Sequence, residues 1–232
     1  MLVVGFPAQA FGTNCFVVAP GSGEECVVID PGIGVVGQLD ALLAEHRLRP
    51  AAVLLTHGHL DHTFSVTPVC GARGITAYIH PRDREMLKDP GKALNSIDPQ
   101  VFLGGLQWSE PEDVAELADA TVLRIAGLEL TVDHAPGHTG GSVMFRMPQS
   151  TGDLDEPLLF AGDVLFRDGI GRTDLPGGSM TEMMASLRAK VLTLPDETVV
   201  LPGHGPETTI GRERARNPYL REALGSAPTR GL

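Results

Sequence analysis

The histidine and aspartate residues of this chain are concentrated in short segments that are also rich in glycine or proline. The densest is 56–62, where the pattern H-x-H-x-D-H places four potential metal ligands within six residues. Imidazole nitrogens and carboxylate oxygens together suit zinc, iron or manganese. Four ligands this close cannot all reach one ion without severe strain. We therefore expect His57 and His59 to face one metal ion, and Asp61 and His62 to face another.

Three further segments each offer one more ligand: P-G-H-T at 136–139, F-A-G-D at 160–163 and P-G-H-G at 202–205. Each has an ordinary interpretation when taken alone, as a solvated histidine or a turn-forming aspartate. A histidine-rich turn can also arise by accident. The recurrence of the pattern favours a shared metal centre, near which glycine lets the backbone pass closely. The candidate metal ligands are His57, His59, Asp61, His62, His138, Asp163 and His204.

The elements that would position these ligands are short strands. Apolar runs predict strands at 2–6, 13–19 and 26–29, which would open a sheet in antiparallel order. A helix is predicted over 35–47, because its leucines recur at a spacing of three and four. Residues 52–55 are wholly apolar, as is typical of a strand buried on both faces. The H-x-H-x-D-H segment follows directly, with a helix expected to begin near its aspartate, and a strand is predicted at 75–79.

The second half of the chain contains further predicted strands and one clear helix, without an internal repeat of the first half. We predict an amphipathic helix whose apolar face is formed by Met180, Met183, Met184, Leu187 and Val191. Residues 89–120 contain several prolines and glycines, so they are interpreted as a functional loop or as short helices that the pattern does not locate. The remaining ligands each follow a strand, and ligand sites of layered α/β proteins gather at strand ends. These strands are predicted at 121–125, 128–133, 142–147, 158–160 and 198–201.

Composition limits the remaining possibilities. The chain has 232 residues, 42% of them hydrophobic, which suffices for one domain over 1–232. The net charge of −11 and the lack of a Lys/Arg cluster argue against a nucleic-acid partner. Three scattered cysteines without a C-x-x-C pair favour a reducing compartment over a disulfide framework. The sequence shows neither a signal peptide nor an apolar run of membrane-spanning length, so we expect a cytoplasmic protein.

The order T-H-x-H-x-D-H, P-G-H-T, G-D and P-G-H-G resembles the metallo-β-lactamase superfamily over nearly the whole chain. The resemblance implies an α/β fold, a four-layer αββα sandwich with the site at one edge of two facing sheets. It also implies two divalent metal ions, with zinc expected and iron or manganese as alternatives. It assigns the first ion to His57, His59 and His138, the second to Asp61, His62 and His204, and the bridge between them to Asp163.

Within the superfamily, an aspartate at position 163, where β-lactamases have cysteine, resembles the glyoxalase II branch. The segment G-R-T-D at 171–174 resembles a compact bacterial subgroup of that branch and also the persulfide dioxygenases, whereas N-P-Y-L at 217–220 favours the compact subgroup. The implied function is hydrolysis of a small-molecule thioester, either S-lactoylglutathione or another thiol ester, by a hydroxide held between the metal ions. An iron-dependent persulfide dioxygenase is the alternative. A non-catalytic metal-binding role is a third interpretation, against which the complete ligand set argues.

The chain also differs from full-length glyoxalase II enzymes. Those enzymes carry an additional C-terminal helical domain that contacts glutathione, whereas only a short tail follows His204 here. We therefore expect no separate C-terminal helical domain and few contacts to the glutathione part of a substrate.

Two residues near the predicted centre are candidates for roles beyond metal binding. Asp61 is a candidate catalytic residue, because its free oxygen could orient the attacking hydroxide. Arg172 is a candidate substrate contact for an anionic group, although an ion pair with Asp174 or Asp168 is the stronger expectation.

The other histidines have plainer interpretations. His134 lies four residues before His138 and is interpreted either as a group that orients a metal ligand or as a half-buried, hydrogen-bonded side chain. His46 and His80 are expected to be ordinary surface residues.

Overall fold

Short strands of the N-terminal half pair into one sheet. The computed structural model describes residues 1–93, 109–148 and 156–225. Strands β1 to β3 pair in antiparallel order and β3 to β6 in parallel order, which confirms the predicted antiparallel opening. The strand order equals the chain order. These strands are Leu2–Pro7 (β1), Asn14–Ala19 (β2), Glu25–Ile29 (β3), Arg49–Leu54 (β4), Thr76–Ile79 (β5) and Val114–Glu116 (β6).

A second sheet is formed by the later strands, in the order β12-β11-β10-β9-β8-β7. Its pairs are antiparallel except for β10 and β11, which are parallel. The strands are Val122–Ile125 (β7), Leu128–His134 (β8), Val143–Met147 (β9), Leu158–Gly162 (β10), Val199–Pro202 (β11) and Thr208–Thr209 (β12).

Helices connect and cover the two sheets. The hydroxyl of Ser179 caps the helix Met180–Ser186 by accepting a hydrogen bond from the Glu182 N–H at 3.2 Å. A π-helical turn, Leu187–Val191, continues that helix, and 3₁₀ turns occur at Pro81–Asp83 and Pro90–Ala93. The helices are Val36–His46 (α1), Leu60–Thr63 (α2), Val66–Gly71 (α3), Arg84–Lys88 (α4), Met180–Ser186 (α5), Ile210–Arg216 (α6) and Pro218–Gly225 (α7).

Three apolar cores separate four layers. One core joins α1 and α3 to the first sheet, for example through Leu39, Val69 and Val53. The middle core joins the two sheets, and the third joins the second sheet to α5, α6 and α7. Alternate residues of the central strands face opposite cores: Val17 of β2 lies in the first core and Val18 in the middle core. The fold is therefore the expected four-layer αββα sandwich.

Two expectations need correction or completion. Met180 does not share the buried face of its helix: its side chain is 45% exposed, because it lies in the first turn, before the helix reaches the third core. Within 89–120, the described parts contain the 3₁₀ turn Pro90–Ala93 and strand β6, while 94–108 lie outside the described residues.

No helix in the described part of the chain has the length and apolar character needed to cross a membrane.

Candidate metal centre

Strand ends place the candidate ligands at one edge of the sandwich. His57 follows β4, His138 follows β8, Asp163 follows β10 and His204 follows β11. The β4 strand lies in the first sheet and the other three lie in the second. The candidate site is therefore assembled from strand ends of both sheets, at the edge that the resemblance implies.

The first group consists of His57, His59 and His138. Their ring centroids lie 4.5–4.8 Å apart, and the rings meet edge to face. A ligand atom of each lies within 4.8 Å of those of the other two. All three side chains are buried. This is the set that the resemblance implies for the first metal ion.

The second group consists of Asp61, His62 and His204. The His204 Nε2 atom lies 3.1 Å from Asp61 Oδ2 and 3.2 Å from His62 Nε2. The His62 Nε2 atom lies 3.5 Å from Asp61 Oδ2. These three residues are the set predicted for the second ion, and helix α2 positions two of them.

Asp163 lies between the two groups. Its Oδ1 atom is 3.4 Å from His62 Nε2 of the second group, and its Oδ2 atom is 3.5 Å from His138 Nε2 of the first. The Oδ2 atom is also 3.7 Å from His204 Nε2. A carboxylate that faces both groups is suited to contact two cations at once.

Unsatisfied polar atoms show that this donor set fits metal ions. Among the described residues, the buried side-chain nitrogen and oxygen atoms without a hydrogen-bond partner include four candidate ligand atoms. Burying a polar group without a partner is costly, so these atoms are suited to bind a metal ion. The four atoms are His57 Nε2, His59 Nε2, His138 Nε2 and Asp163 Oδ1.

Glycine is required where the backbone crosses this crowded region. A Cβ atom on Gly203 would collide with Asp163 Oδ1 and would lie 2.7 Å from His62 Cε1. A Cβ atom on Gly171 would lie 2.9 Å from His138 Nδ1. Side chains at these two positions would displace candidate ligands, which explains the glycines of the P-G-H-G and G-R-T-D segments.

Hydrogen bonds at Nδ1 fix which nitrogen faces the site. The His138 Nδ1–H donates to the Arg172 carbonyl at 2.7 Å, and the His204 Nδ1–H donates to the Phe11 carbonyl at 3.2 Å. Because a carbonyl only accepts, Nδ1 carries the proton in both rings. The Nε2 lone pair is then directed to the other groups of the centre.

Asp30 performs the same task for two more histidines, although it is not among the residues that the sequence indicates. Its buried carboxylate accepts from the His62 Nδ1–H at 2.9 Å and from the Thr56 hydroxyl at 2.6 Å. That hydroxyl in turn accepts from the His57 Nδ1–H at 3.0 Å. The pattern D-P-G at 30–32 is by itself typical of a turn. The available signal was that Asp30 directly follows a strand, as the ligands do.

The electrostatics of the two groups differ. Burial, reinforced by neighbouring imidazoles, lowers the pKa of His57 well below its usual range and that of His59 to about 3. Burial would also lower the pKa of His62, but three surrounding carboxylates outweigh it and raise that pKa to about 10. Metal ligation requires neutral imidazole. His57 and His59 are therefore in the ligand form at neutral pH, whereas His62 must release a proton.

A cavity of about 350 Å³ opens onto both groups. Apolar side chains form much of its wall, from Phe11, Leu60, Phe166 and Leu175. Arg172 also lines it, but its guanidinium pairs with both Asp174 oxygens at 2.8 Å. The expected ion pair with Asp174 is thus present, while Asp168 pairs with Arg212 instead.

Two of the remaining histidines form a pair away from the centre. His80 and His134 stack with centroids 4.0 Å apart and an interplanar angle of 8°. The His134 Nε2–H donates to the Gly140 carbonyl at 2.9 Å, so His134 is half-buried and hydrogen-bonded, the second of its two interpretations. The surface position predicted for His80 is wrong: the residue is 9% exposed, because the stacked ring covers it.

Proteins of known sequence are similar to this chain along nearly its whole length. An uncharacterised protein of Mycobacterium tuberculosis is 48% identical over 221 residues, which cover 95% of this chain and 98% of the relative. The hydroxyacylglutathione hydrolase GloC of Haemophilus influenzae is 32% identical over 218 residues, which cover 92% of this chain and 95% of that enzyme.

Solved structures give the same result. The BLEG-1 B3 metallo-beta-lactamase matches with a TM-score of 0.80 and 36% identity, over 94% of this chain and 99% of that one. The protein TTHA1623, solved in a di-iron-bound form, matches with a TM-score of 0.76 and 36% identity, over 95% of this chain and 100% of that one. The sequence profile of the metallo-beta-lactamase superfamily matches residues 8–204, from the turn after β1 to the last candidate ligand. With two groups of histidine and aspartate side chains at the shared edge of its sheets, this chain belongs to the metallo-beta-lactamase superfamily.

Proposed function

We propose that this protein is a dinuclear metallohydrolase that cleaves thioesters of small thiols. The observation that carries the proposal is the convergence of seven ligand side chains, four of which leave a buried atom without a partner. We assign the first ion to His57, His59 and His138, the second to Asp61, His62 and His204, and the bridge to Asp163. When bound, two divalent ions would supply hydroxide at neutral pH and positive charge for a carbonyl oxygen; we expect zinc.

The side chains of this protein would prepare the site for that chemistry. The Thr13 hydroxyl donates to Asp61 Oδ2 at 2.9 Å and so fixes the rotation of the carboxylate. We assign Asp61 the task of orienting the attacking nucleophile through its other oxygen. Asp30 and the carbonyls of Arg172 and Phe11 hold the imidazoles in the tautomer that the ions require.

The thioester assignment is supported by one relative and by the cavity. The GloC enzyme, 32% identical along nearly its whole length, is described as a hydroxyacylglutathione hydrolase. The cavity of this chain is wide enough for an acyl group, and its wall is largely apolar. We include in the proposal a single domain over 1–232 and, from three buried free cysteines, action in the cytoplasm.

We expect S-lactoylglutathione to be hydrolysed with weak saturation. Arg172 is the cation that lines the described cavity, and Asp174 already neutralises it. The charged glutathione part would therefore find few partners. Two missing hydrogen bonds to charged groups cost about 3–6 kcal/mol, which raises KM by orders of magnitude while leaving the chemistry at the carbonyl intact.

Steady-state kinetics on a panel of thioesters, with the thiol and the acyl group varied separately, test this proposal on protein of measured metal content. Hydrolysis across several thiols, with KM high for glutathione, supports it. Tight saturation selective for glutathione would contradict the weak-contact argument. A protein that binds two ions and cleaves no thioester would overturn the thioester assignment.

Two other reactions are measured in the same preparation. The experiment is repeated with iron-loaded protein, because a relative that is 36% identical was solved in a di-iron-bound form. Oxygen uptake on a persulfide by the iron-loaded protein, without thioester hydrolysis, would favour the dioxygenase alternative. Because another relative is a B3 metallo-beta-lactamase, opening of a β-lactam ring is monitored as well.

A further inference from the structure

Asp83 is a buried carboxylate beside the metal centre that belongs to neither ligand group. It ends the 3₁₀ turn Pro81–Asp83, directly after β5, and it is 0% exposed. Pro81 begins that turn, and the Asp83 N–H donates to the His80 carbonyl at 3.0 Å. The position of Asp83 is therefore set by its own short turn and not by the candidate ligands.

The Asp83 carboxylate joins two segments that carry ligands of the first group. Its Oδ2 atom accepts from the Gly58 N–H at 2.9 Å, between His57 and His59. The same atom accepts from the Thr139 hydroxyl at 2.6 Å, and Oδ1 accepts from the Gly141 N–H at 2.8 Å. Thr139 is the residue after His138. One side chain thus connects the 57–59 turn of the first sheet with the 138–141 turn of the second.

Close packing shows that both turns are fitted to Asp83. A Cβ atom on Gly141 would lie 2.5 Å from the Asp83 Cγ atom and 2.8 Å from its backbone nitrogen. A Cβ atom on Gly58 would lie 3.0 Å from the Asp83 carbonyl oxygen. Glycine at these two positions lets the backbone N–H groups approach the carboxylate.

The charge of Asp83 has no cationic partner among the described side chains. The flanking Arg82 and Arg84 pair with Glu182 and Glu110 instead. A buried carboxylate that meets only neutral donors is costly unless positive charge lies nearby. A metal ion held by the residues that flank its donors would supply that charge.

We propose that Asp83 is a positioning residue for the first metal ion, which it serves by clamping the 57–59 and 138–141 turns together and by adding a negative charge behind them. This inference rests on the proposed dinuclear centre, but it does not depend on which substrate that centre hydrolyses. Residues that orient metal ligands from outside typically contribute 10–100-fold to affinity.

The test measures the zinc affinity of the first site alone. The His204→Ala background weakens the second site, and chelator competition then gives the zinc Kd of the first. The absorption spectrum of the cobalt-loaded protein is a second readout. Asp83→Asn keeps the size of the side chain but presents an N–H group to at least one of the three donors. We expect the zinc Kd to rise about 10–100-fold and the cobalt spectrum to change. In the wild-type background, Asp83→Asn should leave the affinity of the second site within about threefold, well below that range.

Glu213→Gln is the matched control for loss of a buried carboxylate. Glu213 lies on helix α6 and is also 0% exposed. Its carboxylate accepts hydrogen bonds from the Asp168 N–H at 2.7 Å and from Asn217 Nδ2 at 3.1 Å. We expect this variant to keep the wild-type first-site affinity even where its melting temperature falls. Equal losses of zinc affinity in Asp83→Asn and Glu213→Gln would show a merely structural role and would overturn the proposal.

A second pair of variants covers the case in which Asp83→Asn does not fold. Thr139→Val removes one hydroxyl donor to Asp83, whereas Thr139→Ser retains it. We expect weakened zinc binding in the valine variant and wild-type binding in the serine variant. Indistinguishable affinities in this pair, or an unchanged affinity in Asp83→Asn, would contradict the clamp. A wild-type protein that binds no metal would instead remove the proposed function itself.

Discussion

Among single residues, Asp163 differs from the other ligands because its two oxygens face different groups. We predict that Asp163→Ala abolishes hydrolysis and weakens the binding of both ions, because the carboxylate lies 3.4 Å from His62 Nε2 and 3.5 Å from His138 Nε2. His204→Ala should chiefly weaken the second ion, since His204 contacts Asp61 and His62. Elemental analysis and stepwise chelator titration measure both effects. Two tightly held ions and near-normal rates in Asp163→Ala would disprove the bridging assignment.

The lowered pKa of the stacked His80 makes the free energy of unfolding depend on pH. Burial, followed by the charges of His134 and Arg82, lowers the pKa of His80 from the usual 6.5 to about 4. The unfolded chain therefore binds a proton below pH 6.5 that the folded protein does not bind until about pH 4. The contribution of His80 to stability is fully present above pH 6.5 and is lost as the pH falls from 6.5 to 4.

We expect His80→Phe, which preserves a ring for stacking, to flatten the pH dependence of the unfolding free energy between pH 6.5 and 4. Urea denaturation of the metal-free protein across that range measures the effect. His46→Gln, at the end of helix α1, is the control and should follow the wild type. An unchanged slope in His80→Phe would show that this histidine does not control acid stability.

The sequence indicated the candidate ligands but not the residues that hold their side chains in place. The seven candidate ligands were recognisable because each lies in a glycine- or proline-rich turn after an apolar strand. Asp30 and Asp83 also follow strands, but their partners lie 25 to 58 residues away. Their roles become visible only when β3, β4 and β5 are placed side by side and the 138–141 turn meets them. The stack that buries His80 also joins two distant elements.

Among the elements, the turn after β11 is the most constrained. Gly203 carries its backbone past Asp163 Oδ1 and His62 Cε1, and no room remains for a side chain. We predict that Gly203→Ala displaces Asp163 and lowers metal content and activity by at least tenfold, comparable to the loss of a residue that orients a ligand. Gly37→Ala is the control, because nothing lies within 4 Å of a Cβ atom there, on helix α1. Normal metal binding in Gly203→Ala would show that the turn can adjust.

The strands were easier to predict than the helix faces. Runs such as 52–55 are apolar throughout because β4 is parallel to its neighbours and covered on both sides. Met180 matched the apolar spacing of α5 but is exposed, since spacing does not show where a helix begins to contact its sheet. Strand β6 could not be predicted, because its three residues, Val114–Glu116, form a pattern only by pairing with β5.

In the whole molecule, the candidate centre lies at an edge where the two sheets meet. We predict that removal of metal lowers the melting temperature substantially, because ions that bind only the folded state stabilise it by about 4 kcal/mol when free metal is 1,000 times Kd. Calorimetry before and after chelation, and after zinc is added back, measures this effect. Asp163→Ala is the control and should show a much smaller shift. An equal shift in both proteins would mean that chelation acts elsewhere.

The corner where β2 begins beside the turn after β11 has a consequence for biosynthesis. There the Asn14 N–H donates to the Gly203 carbonyl at 2.7 Å, and the Asn14 side chain bonds the Pro202 carbonyl, 188 residues away. Chains fold from the N-terminus as the ribosome releases them. His204 is the last of the seven ligands to emerge, and the hairpin that supports it is among the first segments made. In a nascent chain the proposed second site would therefore stay incomplete until His204 has emerged, and binding of a second ion there would require that the two sheets have already met.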